Sequence, residues 1–394
     1  MLNQAVFLVG GFGTRLGKLT QSTPKPLIEV NGGPFLDILV LEAARHGFDD
    51  ILLLSGYLGD QMIARYHDKK VHSANVRVLV EPAPLGTAGA LKFAAPQLAD
   101  AFLLANGDTF FDINLRALAL ELPPGGGAMA LCNGVSGVRY GRVRFEDGLV
   151  RSLDAADEIK AGPINGGIYA LSRDILAGIH DGPASLERDV FPGLARAGLL
   201  RGIAFDGYFV DIGIPQDLER ARTELPARLR RPALFLDRDG VLNVDRGYLH
   251  KNSDLEWLPG AREAVRLAND RGWFVFVVTN QAGVARGYYQ ERDVRDLHAF
   301  MSEDLALAGA HIDAFEYCPH HPEGIDPRYR KACDRRKPGP GMIHDLMKAW
   351  PVDASRSFLV GDMAHDVAAA EAAGIKGHRF SGGSLLDFVR PLLG

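Results

Sequence analysis

Two short apolar runs in this chain each lead directly into a loop suited to phosphate, and the two loops are of different kinds. Residues 5–9 lead into Gly10-Gly11-Phe12-Gly13-Thr14-Arg15-Leu16, and residues 233–236 lead into Asp237-Arg238-Asp239-Gly240-Val241. A short apolar run bounded by turn residues reads as a buried strand, so both loops are expected at strand ends. The first loop suits cradling a nucleoside triphosphate. The second suits attack on a phosphate ester.

The same pattern recurs along the chain. Apolar runs at 51–54, 101–105, 274–278 and 358–360 alternate with longer helix-like segments. That alternation predicts βαβ units on a mostly parallel sheet, an α/β fold. Pro34 and Gly47 bracket one crossover helix, proline at its start and glycine beyond its end. With 394 residues the chain is long for a single core. The stretch 222–232, rich in charge and proline, precedes a fresh strand, so two domains are expected, 1–225 and 232–394.

Composition excludes several classes of protein. A net charge of −5 argues against a nucleic-acid or anionic-membrane partner and leaves small-molecule substrates. No apolar stretch approaches the roughly 18 residues of a membrane span, and no basic segment followed by an apolar core opens the chain. Neither a span nor a signal peptide is therefore expected. Three cysteines, Cys132, Cys318 and Cys333, are too few for a disulfide framework, and the expected compartment is the cytoplasm. Oligomeric state is not legible.

In the first half, Gly10, Gly11 and Gly13 let the backbone approach a triphosphate and turn its N–H groups toward it. Arg15 can clamp phosphate oxygens with a planar fork. No Gly-Lys-Ser/Thr follows, which excludes a Walker loop, and Leu16 stands where a dinucleotide fingerprint needs its last glycine. Alone, such a loop is also simply a tight βα turn. Thr23-Pro24-Lys25-Pro26 then fixes a lysine between two prolines, an extended stretch that should not be helical.

With both segments in hand, the half resembles the sugar-1-phosphate nucleotidylyltransferases, with a Rossmann-like nucleotidyltransferase sheet. Further stretches follow in that family's order. Glu81-Pro82 and Leu85-Gly86-Thr87-Ala88-Gly89 resemble the loop facing base and sugar. Asn165-Gly166-Gly167-Ile168-Tyr169 and Ser185-Leu186-Glu187 resemble the sugar-binding segments. The resemblance implies that Gly10, Gly11, Gly13, Thr14, Glu81, Gly86, Thr87, Ala88, Asn165, Gly167 and Glu187 bind substrate or nucleotide. It also implies that Asp108 and Asp211 hold Mg²⁺, that Arg15 steadies the leaving pyrophosphate and that Lys25 faces the reacting phosphate. Val9 departs from the family's usual alanine, with little effect expected.

In the second half, Asp237 and Asp239 stand two apart at a strand end, so both can face one side while Arg238 faces away. Two carboxylates that close repel by about 4 kcal/mol at intermediate dielectric, which a bound cation relieves. One aspartate can attack phosphorus and the other can protonate the leaving alkoxide. An Asp-x-Asp-Gly is equally a common turn. Three later segments bear on this: Thr279-Asn280-Gln281 at a strand end, Arg336-Lys337-Pro338, and Gly361-Asp362 with Asp366 four residues on.

In that order these segments resemble the four motifs of the haloacid-dehalogenase-like phosphatases, which fold as a doubly wound sheet. The resemblance makes Asp237 the nucleophile and Asp239 the general acid and base. Thr279, Asn280, Gln281, Arg336 and Lys337 become substrate-binding residues, and Mg²⁺ falls to Asp237, Asp362 and the backbone carbonyl of Asp239. Closer likeness is to the heptose-1,7-bisphosphate 7-phosphatases, through Gly247-Tyr248, the run from Thr279 to Gly287, and Tyr317-Cys318-Pro319-His320-His321. That family binds one zinc through Cys-x-His and Cys-x-Cys. Here Cys318, His320 and Cys333 are present but Arg335 replaces the last cysteine, and Met363 replaces a frequent lysine. Two alternatives stay open: a zinc completed by His321 or Asp334, or a metal-free loop held by packing or by salt bridges of Arg335.

A phosphatase beside a sugar-1-phosphate transferase makes sense only if it spares the anomeric phosphate. The expected chain is thus bifunctional. It takes the 7-phosphate from D-glycero-D-manno-heptose 1,7-bisphosphate and transfers a nucleotidyl group to the 1-phosphate, from GTP by resemblance to the heptose-1-phosphate guanylyltransferases. The alternatives are a mannose- or amino-sugar-1-phosphate transferase joined to a histidinol-phosphatase-like enzyme, or one half acting as a non-catalytic binding module.

Overall fold

The computed structural model describes residues 2–134, 142–153 and 162–394. The chain divides into two compact units, Met1–Pro226 and Ala227–Gly394.

The first unit is built on one ten-stranded sheet. At its centre Gln4–Leu8 lies between Ala101–Asn106 and Asp50–Ser55, both parallel to it, and Ala74–Val80 continues parallel beyond Asp50–Ser55. Val6, Leu52, Leu104, Met129, Leu131 and Tyr169 join one core cluster. Continuous apolar strands of this kind suit a sheet covered on both faces. The helix Phe35–Arg45 buries Phe35, Leu36, Leu39, Val40 and Ala43 at helical spacing. Each such large apolar side chain stabilises the fold by about 1.5–3 kcal/mol relative to exposure. Pro34 is the cap of this helix rather than its first residue, and Gly47 follows at φ 81°.

The other flank departs from the mostly parallel sheet expected. Ile164–Ser172 runs antiparallel to both Ala101–Asn106 and Gly127–Cys132, and Val143–Glu146 pairs antiparallel with Leu149–Leu153. A parallel neighbour needs a crossover, commonly helical, and Asp147 and Gly148 at positive φ close a tight turn instead. A separate ribbon matters more for chemistry. Thr109–Phe111 pairs antiparallel with Phe209–Asp211, placing Asp211 opposite Thr109 and hence next to Asp108.

The second unit has five strands, ordered Ala314–Cys318, Phe274–Asn280, Ala233–Leu236, Phe358–Gly361, Lys376–Arg379. All four pairings are parallel. In chain order this is 3-2-1-4-5, a doubly wound sheet whose order reverses at Ala233–Leu236. Ligands of such sheets bind beyond the carboxyl ends of the strands at that reversal.

The stretch 222–232, expected as a boundary, is helical as far as Leu229. Pro226 sits inside the helix Pro215–Leu229, which buries Leu218, Ala221 and Leu225. Strong helix formers and an apolar stripe outweigh one proline there. Among the described residues no helix is long and apolar enough to cross a membrane. All three cysteines are free thiols.

Candidate active sites

In the first unit the glycine-rich loop follows the central strand and forms the wall of a cavity of about 360 Å³. Gly10, Gly11, Phe12, Lys25, Glu81, Gly86, Thr87, Asp108 and Glu187 all line it. The glycines are there for close approach. A Cβ on Gly10 would meet Glu81 Oε1 at 2.9 Å, and one on Gly86, held at φ 69°, would meet the Ala184 carbonyl at 2.5 Å. Glu81 Oε2 accepts from the Leu85 N–H at 3.2 Å. Burial raises the Glu81 carboxyl above its usual range, against that N–H.

In the same cavity Thr87 Oγ1 donates to Glu187 Oε2 at 3.2 Å and accepts from the Leu186 N–H at 2.8 Å. Ser185 Oγ donates to the same Glu187 oxygen at 2.9 Å. These bonds tie the two predicted sugar-facing segments together. Ala88 is buried and its N–H is committed to the Ala184 carbonyl. Asn165 donates to the Tyr169 hydroxyl at 2.7 Å and accepts from the Gly167 N–H, so its amide organises the strand. Gly167, at φ 71°, lets Asn106 approach where a Cβ would stand 2.7 Å away.

Lys25 is 7% exposed. It begins a 3-10 turn, Lys25–Leu27, where an extended stretch was expected; Pro24 is extended, and Pro26 at the second turn position needs no N–H partner. Its ammonium contacts Asp108 directly and stands 3.7 Å from Asp211. The Ile212 N–H donates to the Asp108 carbonyl at 2.9 Å, and the Gly213 N–H to Asp211 Oδ1 at 2.6 Å. Thr14 and Arg15 begin the exposed turn Thr14–Thr20 and do not line the cavity. Val9 packs close against Gly107, where an added Cβ would lie 2.5 Å from Val9 Cγ1.

In the second unit three strand ends and the turn carrying Lys337 converge. Asp237 and Lys337 are both buried, and Lys337 Nζ lies 2.8 Å from Asp237 and 2.7 Å from Asp366. The Val278 carbonyl accepts a further bond from that ammonium at 2.8 Å. Burial pushes the Asp237 carboxyl up to about 6, with Lys337 pulling it down and Asp366 and Asp239 opposing. Burial alone would lower Lys337, yet Asp237 and Asp366 hold it above its ordinary value. Burial and Asp366 raise Asp362.

One oxygen each from Asp237, Asp362 and Asp366 lies within 4.8 Å of the others, a grouping that fits a divalent cation. Asp366 thus joins the expected Asp237 and Asp362, where the third ligand was expected from the Asp239 backbone. Its signal was its place on the first turn of the helix Ala364–Ala372, where it caps the Met363 N–H at 2.9 Å. Gly240, at φ 82°, leaves space for Asp362, whose Oδ2 would lie 2.4 Å from a Cβ.

Arg238 does not face away as expected. Fully buried, it grips Asp239 through Nε at 3.1 Å and Nη2 at 2.8 Å. Asn243 and Gln281 donate to the same carboxylate at 2.9 and 3.2 Å. Gln281 also donates to Thr279 Oγ1 at 2.9 Å and accepts from Tyr289, so its amide is spent within the protein rather than on a phosphoryl group. Asn280, likewise expected on substrate, bonds the backbone of Lys337 instead. A buried guanidinium and two buried amides need partners, and strand periodicity does not say which.

Cys318, His320 and Cys333 form a second possible metal group, with Cys318 Sγ 3.7 Å from His320 Nδ1. Burial pushes the Cys318 thiol up to about 11. Arg335 turns to Glu316 and Asp345 in two direct ion pairs. Arg336 Nη1 donates to the His320 carbonyl at 3.4 Å. His321 Nδ1 accepts from the Glu323 N–H, and among the described residues neither His321 nor Asp334 joins the group.

A cavity edged by a glycine loop and a buried lysine, and a separate aspartate–lysine cluster on a doubly wound sheet, define an enzyme with one nucleotidyl-transfer site and one phosphomonoesterase site. Residues 4–228 match the Nucleotidyl transferase family and residues 334–383 the HAD-hydrolase-like family. Over 164 residues the chain is 54% identical to D-glycero-beta-D-manno-heptose-1,7-bisphosphate 7-phosphatase of Rhodopseudomonas palustris, covering 42% of this chain and 91% of that protein. It is 42% identical over 144 residues to the Escherichia coli K12 enzyme of the same name, 36% of this chain and 75% of that one. The structure of HddC from Yersinia pseudotuberculosis aligns over 57% of this chain and 100% of its own, with a TM-score of 0.52 and 29% identity. A second structure of HddC, complexed with GMP-PN, aligns with a TM-score of 0.51. The chain belongs to the nucleotidyl transferase family and, over its second unit, to the HAD-like phosphatases represented by these relatives.

Proposed function

We propose that the second unit hydrolyses the 7-phosphate of D-glycero-D-manno-heptose 1,7-bisphosphate and that the first unit joins the resulting 1-phosphate to the guanylyl group of GTP, releasing pyrophosphate. The observation that carries this reading is the presence of both sites in one chain. A phosphatase that attacked anomeric phosphates would destroy the transferase's substrate; one that takes the distal phosphate supplies it. The substrate in the names of the phosphatase relatives and the guanine nucleotide in the HddC complex support the same reading.

In the phosphatase site, the Asp237 carboxylate attacks phosphorus while Lys337 and Thr279 hold the phosphoryl oxygens. Asp239, aimed by Arg238, Asn243 and Gln281, protonates the leaving alkoxide and then takes a proton from the water that hydrolyses the aspartyl-phosphate. Asp237, Asp362 and Asp366 would hold Mg²⁺, which supplies charge neutralisation at the phosphoryl group. In the transferase site a sugar-1-phosphate oxygen attacks the α-phosphorus, and positioning with charge neutralisation does most of the work. Asp108 and Asp211 would hold Mg²⁺, Lys25 meets the reacting phosphate, and Arg15 reaches the pyrophosphate from the exposed end of the loop. Three ligands support zinc at Cys318, His320 and Cys333, with the ion pairs of Arg335 bracing the same loop. Charge and free thiols support a cytoplasmic enzyme.

The test is phosphate release from heptose 1,7-bisphosphate, with the product then offered GTP, ATP, CTP and UTP. One phosphate released, then pyrophosphate with GTP, is the expected result. Loss of both phosphates, or a preference for a simple monophosphate, overturns the heptose assignment.

A further inference from the structure

Lys25 sits between two carboxylates. Its ammonium touches Asp108 and is 3.7 Å from Asp211, so one cation already reaches both carboxylates assigned above to Mg²⁺. Among the described residues these two carboxylates are the polar partners of Lys25 Nζ. Lys337 in the second unit differs, because the Val278 carbonyl also ties it down. A single positive charge leaves the Asp108–Asp211 pair with one negative charge unbalanced, which a divalent ion would neutralise. The route of exchange is visible as well. Lys25 and Asp108 both line the nucleotide cavity, and a lysine carries its charge on a flexible four-carbon stem.

We propose that Lys25 is a resident counter-ion that holds Asp108 and Asp211 together until a nucleoside triphosphate enters with its divalent cation. The ammonium then swings onto the phosphates and yields the carboxylates to the metal. Metal-free, the site stays assembled without two unpaired carboxylates. Filled, the same lysine neutralises the reacting phosphate. Metal and nucleotide therefore bind the first unit with positive coupling, each raising the affinity of the other. This rests on the reading of Asp108 and Asp211 as metal carboxylates.

The experiment is Mn²⁺ titration of the full chain without nucleotide, followed by electron paramagnetic resonance. The Asp108→Asn chain, measured alongside, gives the ions bound elsewhere. Lys25→Gln should bind Mn²⁺ at the Asp108-dependent site at least about tenfold more tightly than the unsubstituted chain. Equal or weaker binding overturns the proposal. Crystals of the unsubstituted chain with Mn²⁺ and GTP separate displacement from a general charge effect. A manganese anomalous peak bridging Asp108 and Asp211, with Lys25 turned onto the triphosphate, is expected; a peak with Lys25 still on Asp108 overturns it. A Lys25→Gln/Asp108→Asn chain that binds as much Mn²⁺ as Lys25→Gln alone would remove the metal reading itself.

Discussion

Asn280 and Lys337 exchange two hydrogen bonds: the Asn280 amide donates to the Lys337 carbonyl at 3.1 Å and accepts from the Lys337 N–H at 3.0 Å. The end of one strand thereby fixes the backbone that presents Lys337, the lysine proposed to hold the phosphoryl group. Replacing Asn280 by alanine should leave Lys337 in place chemically but loosely aimed. Displacement by about 1 Å can cost on the order of 10²-fold. Phosphatase kcat/KM of Asn280→Ala is expected to fall by about that factor while guanylyl transfer is unchanged, measured by phosphate and pyrophosphate release on the same preparation.

The two activities should separate cleanly. Asp237→Asn removes the proposed nucleophile and is expected to lower phosphate release by at least about 10³-fold, leaving pyrophosphate release from GTP and heptose 1-phosphate intact. Asp108→Asn should do the reverse. Loss of both activities in either variant would argue against two independent sites.

Stability should carry a signature of Asp237. Burial pushes its carboxyl up to about 6, from the ordinary value of 3.8. A raised acid favours folding while protonated, so its contribution is full below about pH 4 and is lost as pH rises through 6. Asp237→Asn cannot ionise. With EDTA present, its Tm should exceed that of the unsubstituted chain at pH 7 to 8, and the gap should close on acidification toward pH 4. Mg²⁺ added at pH 7 should raise the Tm of the unsubstituted chain more than that of the variant. Thermal melts at stepped pH check both signs.

The loop of Cys318, His320 and Cys333 gives a metal prediction. By resemblance to the zinc-binding phosphatases Arg335 stands where a fourth ligand is expected, and its guanidinium pairs with Glu316 and Asp345. Arg335→Cys should complete a tetrahedral set, so that the purified variant retains one zinc under a chelator that strips the unsubstituted chain. Elemental analysis after dialysis against EDTA reads the outcome.

The strand ends bearing the two loops were legible because a continuous apolar run closed by glycine or aspartate has few other readings. Ala233–Leu236 has the expected limits, and Phe274–Asn280 runs only two residues further. What escaped were relations made by burial. Nothing local says that Arg238 will turn inward to hold Asp239, or that Gln281 will brace Thr279. Those partners come together only when separate segments fold against one another. The antiparallel course of Ile164–Ser172 escaped for a similar reason, since an apolar run has no direction until its neighbours are known.

The helix Pro215–Leu229 bears on any attempt to produce the two enzymes apart. Its last residues fall beyond the division at Pro226, and Leu225 is buried one residue before it. Severing the chain at that division would shorten the helix by most of a turn and strip its end of main-chain partners. A transferase made alone should therefore extend through Leu229. A phosphatase made alone should begin no later than Arg231, whose N–H donates to the Pro351 carbonyl and whose own carbonyl accepts from Asp353.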